Sequence, residues 1–176
     1  MAFIEPAKVI PYFELRPDIH VADFGAGTGA YTLAMSRAVL PNGKVYAIDV
    51  QKELLITLKN SIQTNHIGNL ELLWGDIETL GGTKLGDQTV DFVLISNVLF
   101  QTKAGYQIAL EAKRVLRPGG HVAIIDWTDS FGNMGPVPDM VVSMTDARKM
   151  FESAGFLWEK DFPAGDHHYG LIFKKR

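Results

Sequence analysis

Short runs rich in β-branched and aromatic residues recur along the chain, at residues 20–24, 44–49, 70–74, 90–95 and 121–125. Between them the apolar residues fall at helical spacing. Leu54, Leu55, Leu58 and Ile62 form one stripe, and Ile108, Ala109, Ala112, Val115 and Leu116 form another. A helix returns residues three or four apart to the same side, so each stripe predicts a helix packing one face on a sheet. Strands alternating with such helices predict crossover units and a parallel sheet. Arg117, Pro118, Gly119 and Gly120 predict the end of the second helix and a turn into the next strand, because proline cannot extend the helix and glycine permits the turn.

The later part of the chain reads differently. Over residues 126–142 the pattern dissolves into Trp, Gly, Pro and polar residues, a long connection for a compact domain, and loops of that length are often functional. Residues 143–155 predict a capped helix that buries Ala147, Met150, Phe151 and Ala154. Strands follow near 156–162 and 169–174, and the short link Pro163-Ala164-Gly165-Asp166 predicts that they form an antiparallel hairpin. Residues 6–15 predict a helix interrupted by Pro11, ahead of the sheet and outside it. Residues 81–86 read as a plain loop.

Composition narrows the picture. A chain of 176 residues is long enough for one sizeable core and too short for a separate substrate domain of ordinary size, so one domain is expected. With 47% hydrophobic and 21% charged residues it reads as a soluble protein, and no apolar run approaches the ~18 residues of a membrane span. The first residues lack the basic start and apolar stretch of a secretory signal, which makes the cytoplasm the expected location. There is no cysteine, which excludes disulfides, thiolate metal sites and a cysteine nucleophile. The net charge of -3, with Lys174, Lys175 and Arg176 as the only basic cluster, gives nucleic acid nothing to bind. No cluster has metal-ligand spacing, so no metal is expected.

The strongest local signal is Val21-Ala22-Asp23-Phe24-Gly25-Ala26-Gly27-Thr28-Gly29, a strand running into glycines and then into a helix from Ala30. Glycines let backbone approach a ligand, and a helix start offers unpaired N–H groups. The spacing of Gly25, Gly27 and Ala30 also fits a dinucleotide fingerprint. Asp49 closes the next strand, where a carboxylate can accept both ribose hydroxyl protons. Gly75-Asp76-Ile77 ends the third, on the carboxyl edge where open α/β sheets bind ligands, and there Asp76 can accept from an adenine amino group. Asp23, just before the glycines, suits an ammonium better than a doubly negative pyrophosphate. Each acid also has a local reading: Asp49 and Asp76 as strand ends before turns, Asp23 as a cap for the following helix. Three acids at three successive strand ends around one glycine loop favour the ligand.

These residues resemble the class I S-adenosylmethionine-dependent methyltransferases over nearly the whole chain. The glycine loop is similar to that family's cofactor loop, Ala47-Ile48-Asp49 to its ribose-binding strand end and Gly75-Asp76-Ile77 to its adenine contact. Residues 91–97 resemble its fourth strand, and Leu116-Arg117-Pro118-Gly119-Gly120-His121 the turn before the fifth. Residues 41–49 and His168-Tyr169-Gly170 resemble the small branch related to quinone-biosynthesis C-methyltransferases. The resemblance implies an α/β, Rossmann-like, doubly wound sheet of seven strands, mostly parallel, with an antiparallel C-terminal hairpin strand. It implies S-adenosylmethionine as cofactor and S-adenosylhomocysteine as product. Glycine-loop backbone at Gly25, Ala26 and Gly27 would hold the methionine part, with Asp23 near its ammonium. Asp49 would bind the ribose, Asp76 with Ile77 the adenine, and Ser96 and Asn97 would lie beside the reactive methyl. Tyr31 and Val50 join this cofactor set. Residues 1–18 would form a lid segment and residues 127–143 a substrate-side loop.

Methyl transfer from a sulfonium is an in-line displacement on an already activated carbon, so positioning supplies much of the catalysis, and a base is needed only when the nucleophile must lose a proton. The resemblance therefore assigns no catalytic residue outright. Ser96-Asn97-Val98-Leu99 stands where methyltransferases of nucleic-acid bases carry Asn or Asp, Pro-Pro and an aromatic residue, which disfavours that role. Missing cysteines disfavour thiol-dependent arsenic and cytosine-carbon routes. A small-molecule acceptor remains, aromatic or lipid-like, in a pocket that Phe3, Tyr12, Phe13, Trp127, Phe131 and Met134 either line or support as ordinary packing. His167, His168 and Tyr169 form one polar cluster, with His168 and Tyr169 as the catalytic candidates. Neighbours in a strand point to opposite faces, so one histidine at most enters the pocket. His20, His66 and His121 sit at element ends. Three other readings stay open: a non-catalytic subunit that binds the cofactor or its product, a nicotinamide-dependent oxidoreductase, and an aminopropyl transferase. The sequence leaves the oligomeric state open.

Overall fold

The computed structural model describes residues 5–131 and 135–176. Phe3 and Met134 of the expected pocket lie outside the described residues. The β-rich runs form a seven-stranded sheet in the order β3-β2-β1-β4-β5-β7-β6. Its strands are β1 (His20–Phe24), β2 (Lys44–Asp49), β3 (Leu70–Trp74), β4 (Val90–Ser96), β5 (Leu116–Trp127), β6 (Phe156–Pro163) and β7 (His168–Lys175). The first five are parallel, and β7 runs antiparallel to both β5 and β6. This is the doubly wound α/β sheet the sequence predicts, with the C-terminal hairpin closing it.

Alternation along the strands sends side chains to two cores. On one face Val21, Phe92, Leu94 and Ile125 pack with Val9, Phe13, Tyr31 and Met35, from α1 (Pro6–Val9), the 3-10 turn Ile10–Phe13 and α2 (Ala30–Ala38). On the other face Ala22, Val93, Ile124 and Phe173 meet Ile108, Ala112 and Phe151, from α4 (Gly105–Val115) and α5 (Met144–Ser153). The remaining helix, α3 (Lys52–Thr64), packs against β2 and β3. Ser143 caps α5 as expected: its Oγ accepts from the Asp146 N–H at 3.1 Å.

Two elements depart from expectation. The second helical stripe stops at Val115, because Leu116 is already extended and paired with Val90. Arg117, Pro118, Gly119 and Gly120 then lie within β5 as a bulge, since Phe92 next pairs with His121. Arg117 Nη1 holds both Asp91 oxygens there, at 2.7 and 2.8 Å. The N-terminal segment divides where Ile10 begins the tighter 3-10 turn, with Pro11 in its first turn.

Strand order reverses between β1 and β4. Chain leaving β1 turns one way and chain leaving β4 the other, so their carboxyl ends open a crevice. The glycine loop, Asp49, Asp76 and Asn97 all follow strands at that edge. Among the described residues no helix is long and apolar enough to cross a membrane.

Candidate functional site

The glycine loop is fastened to β2. Ile48 O accepts from Gly25 N and Ala26 N at 2.9 and 3.0 Å, and Asp49 Oδ2 accepts from Gly27 N at 2.9 Å. Asp49 Oδ1 accepts from Gln51 N at 2.8 Å. Each Asp49 oxygen has a second lone pair, so the carboxylate can anchor the loop and still accept from a ligand. Gly27 has φ +56°, which favours glycine, and a Cβ there would meet nothing within 4 Å: the loop faces open space. Gly29, at φ +86°, lies against the Leu58 side chain, so a side chain at that position would be strained and would meet Leu58.

Asp23 is buried at the end of β1, and Thr32 Oγ1 donates to its Oδ2 at 2.5 Å. Burial raises its pKa to about 6; hydrogen bonding from Thr32 opposes the rise, and the Asp49 charge adds to it. The expected cap has a counterpart in this contact with Thr32, in the first turn of α2, although Gly29 occupies the N-cap position itself. Beside it the Tyr31 hydroxyl is buried and makes no hydrogen bond among the described residues. Burial, and then the Asp23 charge, push the Tyr31 phenol above its ordinary value. Asn97 adopts φ +56° after β4, its N–H donates to Ile125 O at 2.8 Å, and its buried Oδ1 also lacks a donor among the described residues.

These groups line two adjoining hollows. One, of about 330 Å3, is lined by Pro6, Asp23, Ala26, Tyr31 and Ser96 among others; the second, of about 300 Å3, by Asp49, Val50, Asp76, Ile77 and Val98 among others. Gly25, Gly27, Asn97 and Gln101 border both. Every residue of the expected cofactor set borders one hollow or the other. Asp76 is exposed and also shapes its own turn, accepting from Glu78 N at 2.9 Å and Thr79 Oγ1 at 2.8 Å. Its strand-end reading and its place in the hollow therefore hold together.

Sequence reasoning missed Asp126. It is buried at the end of β5, where Oδ2 accepts from Leu99 N and Oδ1 from Trp127 N, both at 2.8 Å. Burial raises its pKa to about 6 against the pull of the Leu99, Phe100, Val98 and Trp127 amides. It thereby fixes the 3-10 turn Leu99–Gln101, and with it Asn97, whose carbonyl accepts from Gln101 Nε2 at 2.6 Å. An acid ending a strand at the carboxyl edge, the signal that picked out Asp49, would have found it.

The expected acceptor residues do not gather in one place. Phe13 is in the core against Tyr31, Phe92 and Phe162, and Tyr12 stacks on Phe162. Both border another cavity, about 400 Å3, at the opposite edge of the sheet with Asp91, His121 and Glu159. Around that cavity Arg117 pairs with Asp91 at 2.7 Å and Lys160 with Glu14, and His121 Nε2 lies 3.1 Å from Glu159. Trp127 and Phe131 stay at the carboxyl edge, each packed on a histidine: Trp127 on His168 and Phe131 on His167, both with ring centroids 4.1 Å apart. His167 Nδ1 lies 2.7 Å from Asp129 Oδ1. Tyr169 is opposite Asp126 and belongs to the α4–α5 core, whereas His168 is opposite Trp127 and points to the other face.

Comparison with known proteins gives a consistent result. Residues 15–161 match the model of a methyltransferase domain. The fold superposes with a TM-score of 0.89 on a SAM-dependent methyltransferase from Aquifex aeolicus, 30% identical, covering 98% of this chain and 90% of that one. An arsenite methyltransferase of Halobacterium salinarum is 27% identical over 81% of this chain and 38% of its own length. A demethylmenaquinone methyltransferase of Bacillus mycoides is 29% identical over 64% of this chain and 46% of its own. The chain thus spans less than half the length of these two curated relatives.

Proposed function

Because this chain belongs to the S-adenosylmethionine-dependent methyltransferase family, we propose that it moves a methyl group from S-adenosylmethionine to a small-molecule acceptor by in-line displacement. The observation that carries this reading is the convergence of the Asp23 carboxyl, the Tyr31 hydroxyl and the Asn97 side-chain oxygen on one hollow beside the glycine loop. Leaving the Tyr31 and Asn97 oxygens buried and unmet costs about 1–3 kcal/mol each, and an ammonium donates to both and pairs with the Asp23 carboxylate beside them, which already accepts from Thr32. A pyrophosphate would meet a carboxylate instead, which disfavours a nicotinamide cofactor.

In this reading Asp23, Tyr31 and the backbone of Gly25, Ala26 and Gly27 hold the methionine part. Asp49 takes the ribose hydroxyls on its second lone pairs, and Val50, Asp76 and Ile77 border the adenine. Ser96 and Asn97 flank the reacting carbon, with Asp126 holding Asn97 in place. When bound, the cofactor supplies a methyl group already activated as a sulfonium and leaves as S-adenosylhomocysteine. The residues therefore need only orient it and keep the acceptor in line.

The aromatic edge formed by Trp127 and Phe131, and the demethylmenaquinone named for one relative, support an aromatic or lipid-like acceptor rather than nucleic acid. We read the chain as one methyltransferase domain working in the cytoplasm, with residues 1–18 as lid and residues 127–143 on the acceptor side. Calorimetric titration with S-adenosylhomocysteine tests the cofactor assignment. Micromolar or tighter binding, lost in Asp49→Ala, is expected; equal binding by the variant would remove Asp49 from the site.

A further inference from the structure

The adenine end of the hollow proposed for the cofactor does not close. Val50, Gly75 and Asp76 border it, and the same three residues border a further hollow of about 370 Å3, walled by Trp74, Thr79 and Lys84 among others. β3 is the edge strand of the sheet, so no further strand covers the far side of this space. A buried cavity of ~150 Å3 is enough to hold a benzene ring, and this hollow is larger.

Its walls are held by the fold. Trp74 is 58% exposed, yet its indole is fastened: Nε1 donates to Val50 O at 3.0 Å, and the Lys52 ammonium lies 3.8 Å from the ring centroid. The loop after Asp76 is fixed as well. Gly82 O accepts from Asp76 N at 3.0 Å, Gly82 N donates to Thr79 O at 2.8 Å, and the buried Glu111 carboxylate takes the Gly81 and Thr83 amides. Backbone meets backbone there, since a Cβ on Gly75 would stand 2.6 Å from Gly82 O. Lys84 follows in the left-handed region, at φ +66°, and its ammonium meets no partner among the described residues. An aromatic wall, a fixed loop and a free cation suit a flat group that carries negative charge.

Asp76 stands at the junction of the two spaces. Its Oδ1 accepts from Glu78 N and its Oδ2 from Thr79 Oγ1, and each oxygen keeps a lone pair. An adenine amino group has two hydrogens. One can meet Asp76 while the other is replaced, and the replacement then points toward the second hollow rather than into a wall.

We infer that this site takes adenosyl ligands extended at the 6-amino nitrogen by a benzyl-sized group, that the group occupies the hollow between Trp74 and Lys84, and that an acidic substituent on it is favoured. The inference rests on the cofactor reading above. It makes Trp74 and Lys84 specificity-determining residues at the end of the site away from the reacting carbon. A site that read adenine by enclosing it would reject such ligands.

Calorimetric titration of the intact chain tests this, with S-adenosylhomocysteine and its N6-benzyl, N6-(4-carboxybenzyl) and N6,N6-dimethyl derivatives. The benzyl compound should bind within about fivefold of the parent. The carboxybenzyl compound should bind about two- to fivefold more tightly than the benzyl compound, the scale of one exposed ion pair. The dimethyl compound, with no hydrogen left for Asp76, should bind roughly tenfold more weakly than the parent. Lys84→Gln should erase the advantage of the carboxylate and leave the other three affinities unchanged. A benzyl compound weaker than the parent by more than about fivefold overturns the inference on the wild-type chain alone, and so does a dimethyl compound that binds as well as the parent. A carboxylate advantage that survives Lys84→Gln does the same. Failure of S-adenosylhomocysteine itself to bind would instead bring down the cofactor reading on which the inference stands.

Discussion

Two buried carboxylates divide the molecule between them. Glu111, on α4, is 0% exposed, and Arg114, the Thr83 hydroxyl and the Gly81 and Thr83 amides all reach it. Burial alone would raise its pKa, yet the hydrogen bonds from Arg114, Thr83 and Gly81 hold it below the ordinary value. Asp23 is about as deeply buried, has Thr32 as its only side-chain donor among the described residues, and is pushed up to about 6. Glu111 is finished within the fold, stapling the loop after Asp76 to α4. Asp23 accepts from Thr32 and keeps lone pairs for a further donor, beside the Tyr31 hydroxyl and Asn97 Oδ1, which have no partner among the described residues. Burial of charge therefore does not mark a ligand site; unmet hydrogen-bonding capacity does.

The contrast can be broken first at Glu111. Replacing it with alanine strands the Gly81 and Thr83 amides and leaves Arg114 with only Asp87 and backbone and hydroxyl oxygens of the loop, and should cost about 3–5 kcal/mol of stability, read from the midpoint of urea unfolding. Asp23→Asn should do the reverse. Stability should change by about 1 kcal/mol or less, while affinity for S-adenosylhomocysteine falls roughly tenfold or more, the scale of one charge-assisted hydrogen bond. If calorimetry and unfolding ranked the two variants the other way, Asp23 would be the structural acid.

Acidity sharpens the difference. The folded state favours protonated Asp23, so its contribution to stability is complete below its ordinary value of 3.8 and is lost as pH rises through about 6. Asp126 acts in the same direction over the same window. An ammonium needs the ionised carboxylate, so ligand affinity should run opposite to this stability term. Tyr31→Phe is the smallest change: removing a hydroxyl without a partner should leave unfolding unchanged or slightly improved and weaken S-adenosylhomocysteine binding by about two- to fivefold.

Much of the hollow proposed for the cofactor was legible because its signals are local. A strand, a glycine loop and an acid at each strand end are read within a few residues, and the parallel order brings those ends to one edge. Glu111 escaped because its meaning lies in a distant segment, the loop at residues 81–83; Asp126 carried the local signal of an acid ending a strand, and only its role toward the N–H of Leu99 is non-local. Arg117 through Gly120 carried the composition of a turn, and only pairing with β4 makes them a bulge. Tyr12 and Phe13 have the apolar character of a pocket lining, but the 3-10 turn aims them at Phe162 and the far edge. Strand alternation does not separate the two histidines, because His167 precedes β7 in a turn with φ +63° and His168 opens the strand; their ring nitrogens meet the Asp129 carboxylate and the Asp166 carbonyl respectively.

Calorimetric titration of S-adenosylhomocysteine into the wild type and Asp23→Asn, from about pH 5 to about pH 7, decides whether the incomplete acid is the ligand's. With a pKa of about 6, the ionised fraction of Asp23 rises about tenfold over that range. The wild-type dissociation constant should fall by the same factor, and that of the variant should stay flat. Parallel profiles for the two proteins would contradict this account and return Asp23 to the role of a buried partner for Thr32.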